Sequence, residues 1–317
     1  MKKFFSFSDV RLNYKSLILQ ALKYKKNPFL SQEIGKNKTI GLIFFNPSLR
    51  TRLSSIKAAH NLNAKIWILN ANVDSWSLEI EEGVIMNSSK QEHIKDAIKV
   101  INNYCDIIGI RIFPELKNRE IDYKEIIFNK ILEYSSIPVV NLESCTLHPL
   151  QSFADLITVE EFNKNKKKIK VVLTWVPHVK ALPQSVANSF CEWFSKIDYI
   201  ELIITHPKGY ELSSKFTKGV KILYDQNYAL QNADFVYAKN WSSYQDYGKI
   251  ITLDPSWIIT MEKIKNIANN AKFMHCLPIR RNLLATDEVL DSPNSIIIEQ
   301  SKNRIFSAQT IFNEMLS

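Results

Sequence analysis

The segment Phe44-Phe45-Asn46-Pro47-Ser48-Leu49-Arg50-Thr51-Arg52 gathers hydroxyls, backbone N–H groups and arginines where an apolar run gives way to a helical pattern. A helix N-terminus with free N–H groups and the positive end of its dipole binds anions, and an arginine fork adds paired contacts to phosphate oxygens. The chemistry on offer is the holding of a phosphate without a glycine-rich loop. Taken alone, the segment reads equally as a helix capped by Ser48 with surface arginines beside it. Arg111, at the end of another apolar run, taken alone reads as a strand-end surface ion pair. His148, in His148-Pro149-Leu150-Gln151, taken alone reads as a satisfied structural histidine. Cys276, in His275-Cys276-Leu277-Pro278, offers a thiol, although a lone cysteine beside a histidine is more often structural than nucleophilic. Trp76, in Asp74-Ser75-Trp76-Ser77-Leu78, taken alone is a core or interface anchor.

These groups need a frame. Short apolar runs alternate with longer helical patterns throughout, which is the order of a parallel sheet with helices on both faces. Residues 39–45 read as a buried strand, 46–48 as a turn and 50–61 as a helix. Further strands are expected over 65–69, 106–111 and 138–142, with helices over 91–104 and 122–134. A long helix should begin after Pro149, because Leu150, Phe153, Ala154, Ile157, Val159 and Phe162 fall near helical spacing. A second series follows, with strands over 170–174, 199–204, 235–237 and 271–274, a helix over 183–195 and a terminal amphipathic helix over 307–316. The fold class expected is α/β, with two doubly wound parallel-sheet domains, and 317 residues suit two domains of about 150 residues each.

Composition excludes several classes. Hydrophobic residues at 45% and charged residues at 23% match a soluble globular protein. No apolar run reaches the ~20 residues that span a bilayer, and the first nine residues are too briefly apolar for a secretory signal, so a cytoplasmic location is expected. Cys105, Cys145, Cys191 and Cys276 are widely spaced with no C-x-x-C pair, which argues against zinc and against a disulfide framework. The net charge of +9 comes from scattered lysines, and the one dense run, residues 164–170, reads as a solvated loop. The basic balance suits an enzyme of anionic substrates better than a nucleic-acid surface.

Three motifs stand in a known order: Ser48-Leu49-Arg50-Thr51, His148-Pro149-Leu150-Gln151 and His275-Cys276-Leu277-Pro278. Together they resemble the Ser-Thr-Arg-Thr, His-Pro-x-Gln and His-Cys-Leu-Pro motifs of the aspartate/ornithine carbamoyltransferases. The resemblance implies a carbamoyl-phosphate domain over 1–147, an amino-acid domain over 148–304, and a terminal helix over 305–317 that returns to the first. It also implies a homotrimer with shared active sites and no metal or organic cofactor. Carbamoyl phosphate would be held by Ser48, Leu49, Arg50, Thr51, Pro149, Leu150 and Arg304. Thr51, Arg111 and His148 would donate to the carbamoyl oxygen, Gln151 would bond the carbamoyl amide, and Cys276 with the Leu277 carbonyl would position the group without a covalent intermediate. Trp76 would reach the neighbouring subunit's phosphate site.

No Asp-x-x-x-Ser-Met-Gly sequence occurs, which disfavours free ornithine, and no lysine loop of the aspartate enzymes is found. Instead, Leu173-Thr174-Trp175-Val176-Pro177-His178 and Leu182-Pro183-Gln184-Ser185 resemble the enzymes of N-acylated ornithine. The resemblance implies that Glu143, His178, Lys239 and Arg280 contact the acylornithine. Position 91 separates the two kinds: acetyl enzymes resemble a Glu there and succinyl enzymes a Pro, whereas this chain has Gln91 beside Lys90. An uncharged Gln91 removes repulsion of a second carboxylate, and acetyl enzymes also resemble a Lys at the place of Leu284. N-succinyl-L-ornithine is therefore the expected acceptor and N-acetyl-L-ornithine the alternative, since Gln is close to Glu in size.

Overall fold

A computed structural model of the chain describes residues 1–71, 73–163 and 166–317. Lys164 and Asn165, the start of the basic run, lie outside the described residues. The elements run β1 (Lys3–Phe4), α1 (Tyr14–Lys26), β2 (Thr39–Phe44), α2 (Arg50–Asn61), β3 (Lys65–Asn70), β4 (Leu78–Glu79), β5 (Glu92–His93), α3 (Ile94–Ile101), β6 (Ile107–Arg111), α4 (Arg119–Tyr123), α5 (Ile126–Tyr134) and β7 (Val139–Glu143). They continue as α6 (Pro149–Phe162), β8 (Ile169–Val176), α7 (Ser185–Phe194), β9 (Ile200–Thr205), α8 (Ser214–Thr217), β10 (Lys221–Leu223), α9 (Gln226–Leu230), β11 (Phe235–Asn240), β12 (Lys272–Met274), α10 (Asp287–Leu290) and α11 (Ile297–Leu316).

The chain divides into two compact units: Met1–Pro114 with Glu120–Leu150 and Arg304–Ser317, and Glu115–Arg119 with Gln151–Asn303. The first holds a parallel sheet in the order β1-β7-β6-β2-β3, and the second a parallel sheet in the order β10-β9-β8-β11-β12. Strands β6, β7 and most of β2 and β8 are buried on both faces, which is why they read as unbroken apolar runs rather than alternating ones. The first core gathers Ile43, Ile94, Ile98, Ile108, Ile110, Phe128 and Ile131, and the second Val172, Val236, Ile264, Phe273, Leu284 and Val289. The α/β architecture with two parallel sheets is the one expected.

Each sheet reverses its strand order beside its central strand. In the first, β3 lies on one side of β2 and β6 on the other; in the second, β9 lies on one side of β8 and β11 on the other. Ligands of open α/β sheets bind outside the carboxyl ends of the strands at such reversals. The carboxyl ends here are Phe44 and Arg111 in one unit, and Val176 and Asn240 in the other.

Three of the expected helices differ in the structure for identifiable reasons. The helix expected over 91–104 shrinks to α3 because Glu92 and His93 pair with β4, and the His93 ring accepts the Lys95 N–H as a cap. The helix expected over 122–134 breaks into α4 and α5 at Glu125, whose φ of +50° lies in the left-handed region. The terminal helix starts at Ile297, ten residues before the expected 307, because Gln300, Asn303 and Arg304 face inward and conceal its amphipathic pattern.

Candidate active site

In the first unit the loop from Asn46 to Leu49, expected to hold a phosphate, is built by its neighbours. Arg111 is buried at the end of β6, and its Nη1 donates to the carbonyls of Asn46 and Pro47, each at 3.0 Å. The Phe113 N–H donates to the Asn46 side chain at 2.6 Å, and the Phe45 N–H to the Arg111 carbonyl at 3.0 Å. These bonds fix the turn from β2 into α2. No side chain caps α2, whose N-cap position is Leu49 rather than Ser48, so the capping alternative does not describe this terminus. Ser48 and Arg50 are half-buried and Leu49 is exposed. Thr51 is buried, and its hydroxyl accepts a hydrogen bond from Arg304 Nη2 at 2.6 Å. A cavity of about 510 Å³ adjoins the loop, lined by Phe44 to Leu49, Arg52, Asn70, Ala71 and Val73.

Arg111 also meets Glu143. Its Nε donates to Glu143 Oε2 at 3.2 Å, Nη2 lies 3.2 Å from the same oxygen, and His148 Nε2 lies 3.7 Å from it. Burial draws the Arg111 guanidinium below its ordinary range, and Glu143 opposes that. The arrangement is a buried cation held by one carboxylate with a histidine alongside, suited to donating toward negative charge on a small ligand.

The loop from Glu143 to His148 rests on Glu125, a residue no sequence signal singled out. Its Oε1 accepts the Thr146 N–H at 2.7 Å, the Thr146 hydroxyl at 2.6 Å and the Ser144 hydroxyl at 2.6 Å, while Oε2 accepts the Cys145 N–H at 3.2 Å. Burial pushes this carboxyl above its ordinary range, against the pull of these bonds.

Trp76 and Gln91 come together beside the two-stranded β4–β5 pairing. Trp76 is 52% exposed and its indole N–H donates to Glu92 at 2.8 Å, while the Gln91 N–H donates to the Ser77 carbonyl at 3.3 Å. Gln91 is exposed. Lys90, the cation that the sequence offers beside it, lies 2.9 Å from Glu79, whose carboxyl is held down at about 2 by the Glu81 N–H first and by Lys90 next.

In the second unit, β8 and β11 carry the other half of the expected residues. Register pairs Trp175 with Lys239 and Val176 with Asn240, so Lys239 and His178 both sit at the carboxyl end of the sheet. The His178 ring is kept below its ordinary range by burial first, with the charges of Arg280 and Lys239 adding to it. The shorter of its two Nδ1 contacts, at 2.8 Å, is to the Lys180 carbonyl; a carbonyl only accepts, so Nδ1 carries the proton of the neutral ring. Among the described residues neither Lys239 nor Arg280 is paired with a carboxylate, and the buried Lys239 ammonium has Asn240 Oδ1 at 3.4 Å. Two cations about a neutral histidine suit a ligand that carries carboxylates. A cavity of about 240 Å³ lies beside His178, lined also by Trp241, Leu253, Ile258 and Leu283.

Gln151, Cys276 and Leu277 belong to this unit too. His275 Nε2 lies 3.3 Å from Asn240 Oδ1, and its Nδ1 accepts the Leu277 N–H at 2.9 Å, holding the turn that contains the buried Cys276. Sequence reasoning left out Asp155 and Gln300, which tie this turn to Gln151. An acid between the apolar Phe153, Ala154 and Leu156 of α6, four residues after Gln151, was the available signal. Among the described residues no cluster of His, Cys, Asp or Glu could hold a metal, and no helix is long and apolar enough to cross a membrane.

Comparison with known proteins agrees over the whole chain. Residues 2–161 match the aspartate/ornithine carbamoyltransferase carbamoyl-P binding domain, and residues 168–315 the Asp/Orn binding domain of the same family. The chain is 48% identical over 318 residues to an N-succinylornithine carbamoyltransferase of Bacteroides fragilis (strain 638R), covering 100% of this chain and 99% of the relative. It is similar to the crystal structure of acetylornithine transcarbamylase complexed with acetylcitrulline, with a TM-score of 0.92, 32% identity and 100% of both chains covered. A glutamate-to-proline variant of N-acetyl-L-ornithine transcarbamylase, complexed with carbamyl phosphate and N-succinyl-L-norvaline, is similar with a TM-score of 0.91 and 31% identity, covering 99% of this chain and 100% of that one.

Proposed function

The chain belongs to the aspartate/ornithine carbamoyltransferase family, and we propose that it transfers the carbamoyl group of carbamoyl phosphate to the δ-amine of N-succinyl-L-ornithine in arginine biosynthesis. The observation that carries the choice of acceptor is the 48% identity, end to end, with an N-succinylornithine carbamoyltransferase, against 32% with the acetylornithine enzyme. Gln91 supports it: a neutral side chain is compatible with a second carboxylate, and the related enzyme holds a succinyl analogue when a glutamate is replaced. N-acetyl-L-ornithine remains the second reading because the Lys90 ammonium is paired with Glu79 and adds little attraction for that carboxylate.

In this reading Ser48, Leu49, Arg50 and Thr51 hold the phosphate with Arg304, and Arg111, His148 and Thr51 donate to the carbamoyl oxygen. Gln151 accepts from the carbamoyl amide. Lys239 and Arg280 pair with carboxylates of the acceptor, and Glu143 with its amine. The uncharged amine attacks the carbonyl carbon, the bond to the phosphate oxygen breaks, and the departing phosphate takes the amine proton. Binding and charge complementarity then supply the acceleration. The enzyme acts as a cytoplasmic homotrimer in which Trp76 completes a neighbour's phosphate site. Steady-state kinetics with carbamoyl phosphate and each acceptor tests the assignment: kcat/KM should favour N-succinylornithine, and a clear preference for N-acetylornithine would replace it with the second reading.

A further inference from the structure

We propose that Asp155 is a positioning residue for carbamoyl recognition: its carboxylate orients the Gln151 amide so that the carbonyl end, and not the amino end, is offered to the ligand. The proposal rests on the role of Gln151 given above.

Asp155 is fully buried on α6, one turn after Gln151. Its Oδ1 accepts from Gln151 Nε2 at 2.7 Å and from Gln300 Nε2 at 2.7 Å. The two ends of a glutamine amide have nearly the same shape and differ in that one donates and the other accepts. The Asp155 Oδ1 accepts from both amide nitrogens, so it selects the orientation with Nε2 toward itself and turns Oε1 the other way. That polarity matters for this reaction. A carbamoyl group differs from an acetyl group by carrying N–H donors where acetyl carries a methyl, and an acceptor distinguishes them while a donor does not.

The same oxygen also aligns the second motif. Gln300 is held by Asp155 through its amino end, so its Oε1 faces the His275 N–H, which donates to it at 2.9 Å. His275 in turn accepts the Leu277 N–H on Nδ1. One buried carboxylate therefore sets the polarity of two amides and, through the second, the turn containing Cys276. Tyr237 on β11 faces Asp155 and Cys276, and its phenol is pushed well up by burial first and by those two groups next, so it stays a neutral donor.

The test is the ratio of carbamoyl phosphate affinity to that of acetyl phosphate, measured as KM and as competitive inhibition, for wild type, Asp155→Ala, Asp155→Asn and Gln151→Ala. Asp155→Ala should reduce the ratio at least about tenfold, the worth of one directed hydrogen bond, mainly through a higher KM for carbamoyl phosphate. Asp155→Asn, whose Oδ1 still accepts from both glutamines, should recover most of it. Should Asp155→Ala fail to fold, Asp155→Glu keeps the carboxyl group but displaces the acceptor and should also reduce the ratio. An unchanged ratio in the Asp155 variants, with melting temperature alone lowered, overturns the proposal while leaving Gln151 in place. An unchanged ratio in Gln151→Ala overturns the role of Gln151 itself, and the proposal with it.

Discussion

Removing the Glu125 carboxylate should unseat the loop that carries Glu143 and His148, and the size of the effect can be worked from its bonds. Glu125→Ala removes the carboxylate that accepts from the Thr146 N–H, the Thr146 hydroxyl and the Cys145 N–H, whereas the Ser144 hydroxyl keeps the Leu147 carbonyl at 3.4 Å. Loss of such an acceptor costs about 1–3 kcal/mol per buried donor. The three share one acceptor group and are not additive, and deleting a buried carboxylate also removes its own desolvation penalty, so a net loss of about 2–5 kcal/mol is expected. Glu125→Gln keeps an acceptor oxygen for three of the four bonds and sets its amino group against the Cys145 N–H alone, for a loss of about 1 kcal/mol.

The pH dependence separates this account from simple loss of packing. The carboxyl is raised in the folded chain above its ordinary value near 4.5. Between those two values the folded state binds the proton and the unfolded state does not, so this group's contribution falls as pH rises through the window and is most favourable below it. Urea denaturation across pH 4 to 8 should therefore show a falling component in wild type that is absent from Glu125→Gln. In parallel, kcat/KM should drop far more in Glu125→Ala than in Glu125→Gln, because the loop ends bear on Arg111. A Glu125→Ala enzyme with wild-type denaturation midpoint and wild-type kcat/KM would show that Glu125 does not hold this loop, and an identical pH dependence in wild type and Glu125→Gln would show that its ionisation does not contribute.

Arg50→Ala should lower kcat/KM roughly a hundredfold or more with little change in melting temperature, since its side chain is half-buried at the α2 terminus and carries none of the bonds that Arg111 makes; near-normal turnover would remove it from the phosphate site. Mixing Trp76→Ala with Arg50→Ala chains should give activity above either parent if sites are shared between subunits, and hybrids no better than the parents would leave Trp76 a structural residue. Cys276→Ser should keep substantial activity if, as in the proposed reaction, the amine attacks the carbamoyl carbon directly and no enzyme nucleophile is needed; mass spectrometry that trapped a carbamoylated Cys276 during turnover would contradict this.

The parallel sheets were legible because a strand buried on both faces announces itself as an apolar run, and β2, β6, β7 and β8 lie where those runs stand. The loop over 46–49, Arg111 and His148 stood out as candidates because each follows such a run, toward the carboxyl end where open sheets bind ligands. What escaped the sequence is the pairing of polar groups that lie far apart along the chain. Asp155 and Gln300 are 145 residues apart, and Arg304 and Thr51 are 253 apart, so nothing local marks either pair as joined. Glu125 escaped for a related reason: as the acceptor of four bonds from residues 144–146 it must leave the helical path, and the α4–α5 break is visible only once those bonds are known. Gln91 stands at the opposite extreme. Its side chain is exposed and Trp76 is half exposed, so neither burial nor periodicity marks either of them, and the expectation for position 91 rests on residue type alone. Gln91→Glu should therefore weaken N-succinylornithine selectively and spare N-acetylornithine, because it adds a negative charge where the longer acyl chain ends in one. Equal losses for both substrates in a kcat/KM comparison would mean that position 91 acts through size, and the preference for the succinyl group would then have to arise in the unit that bears His178, Lys239 and Arg280.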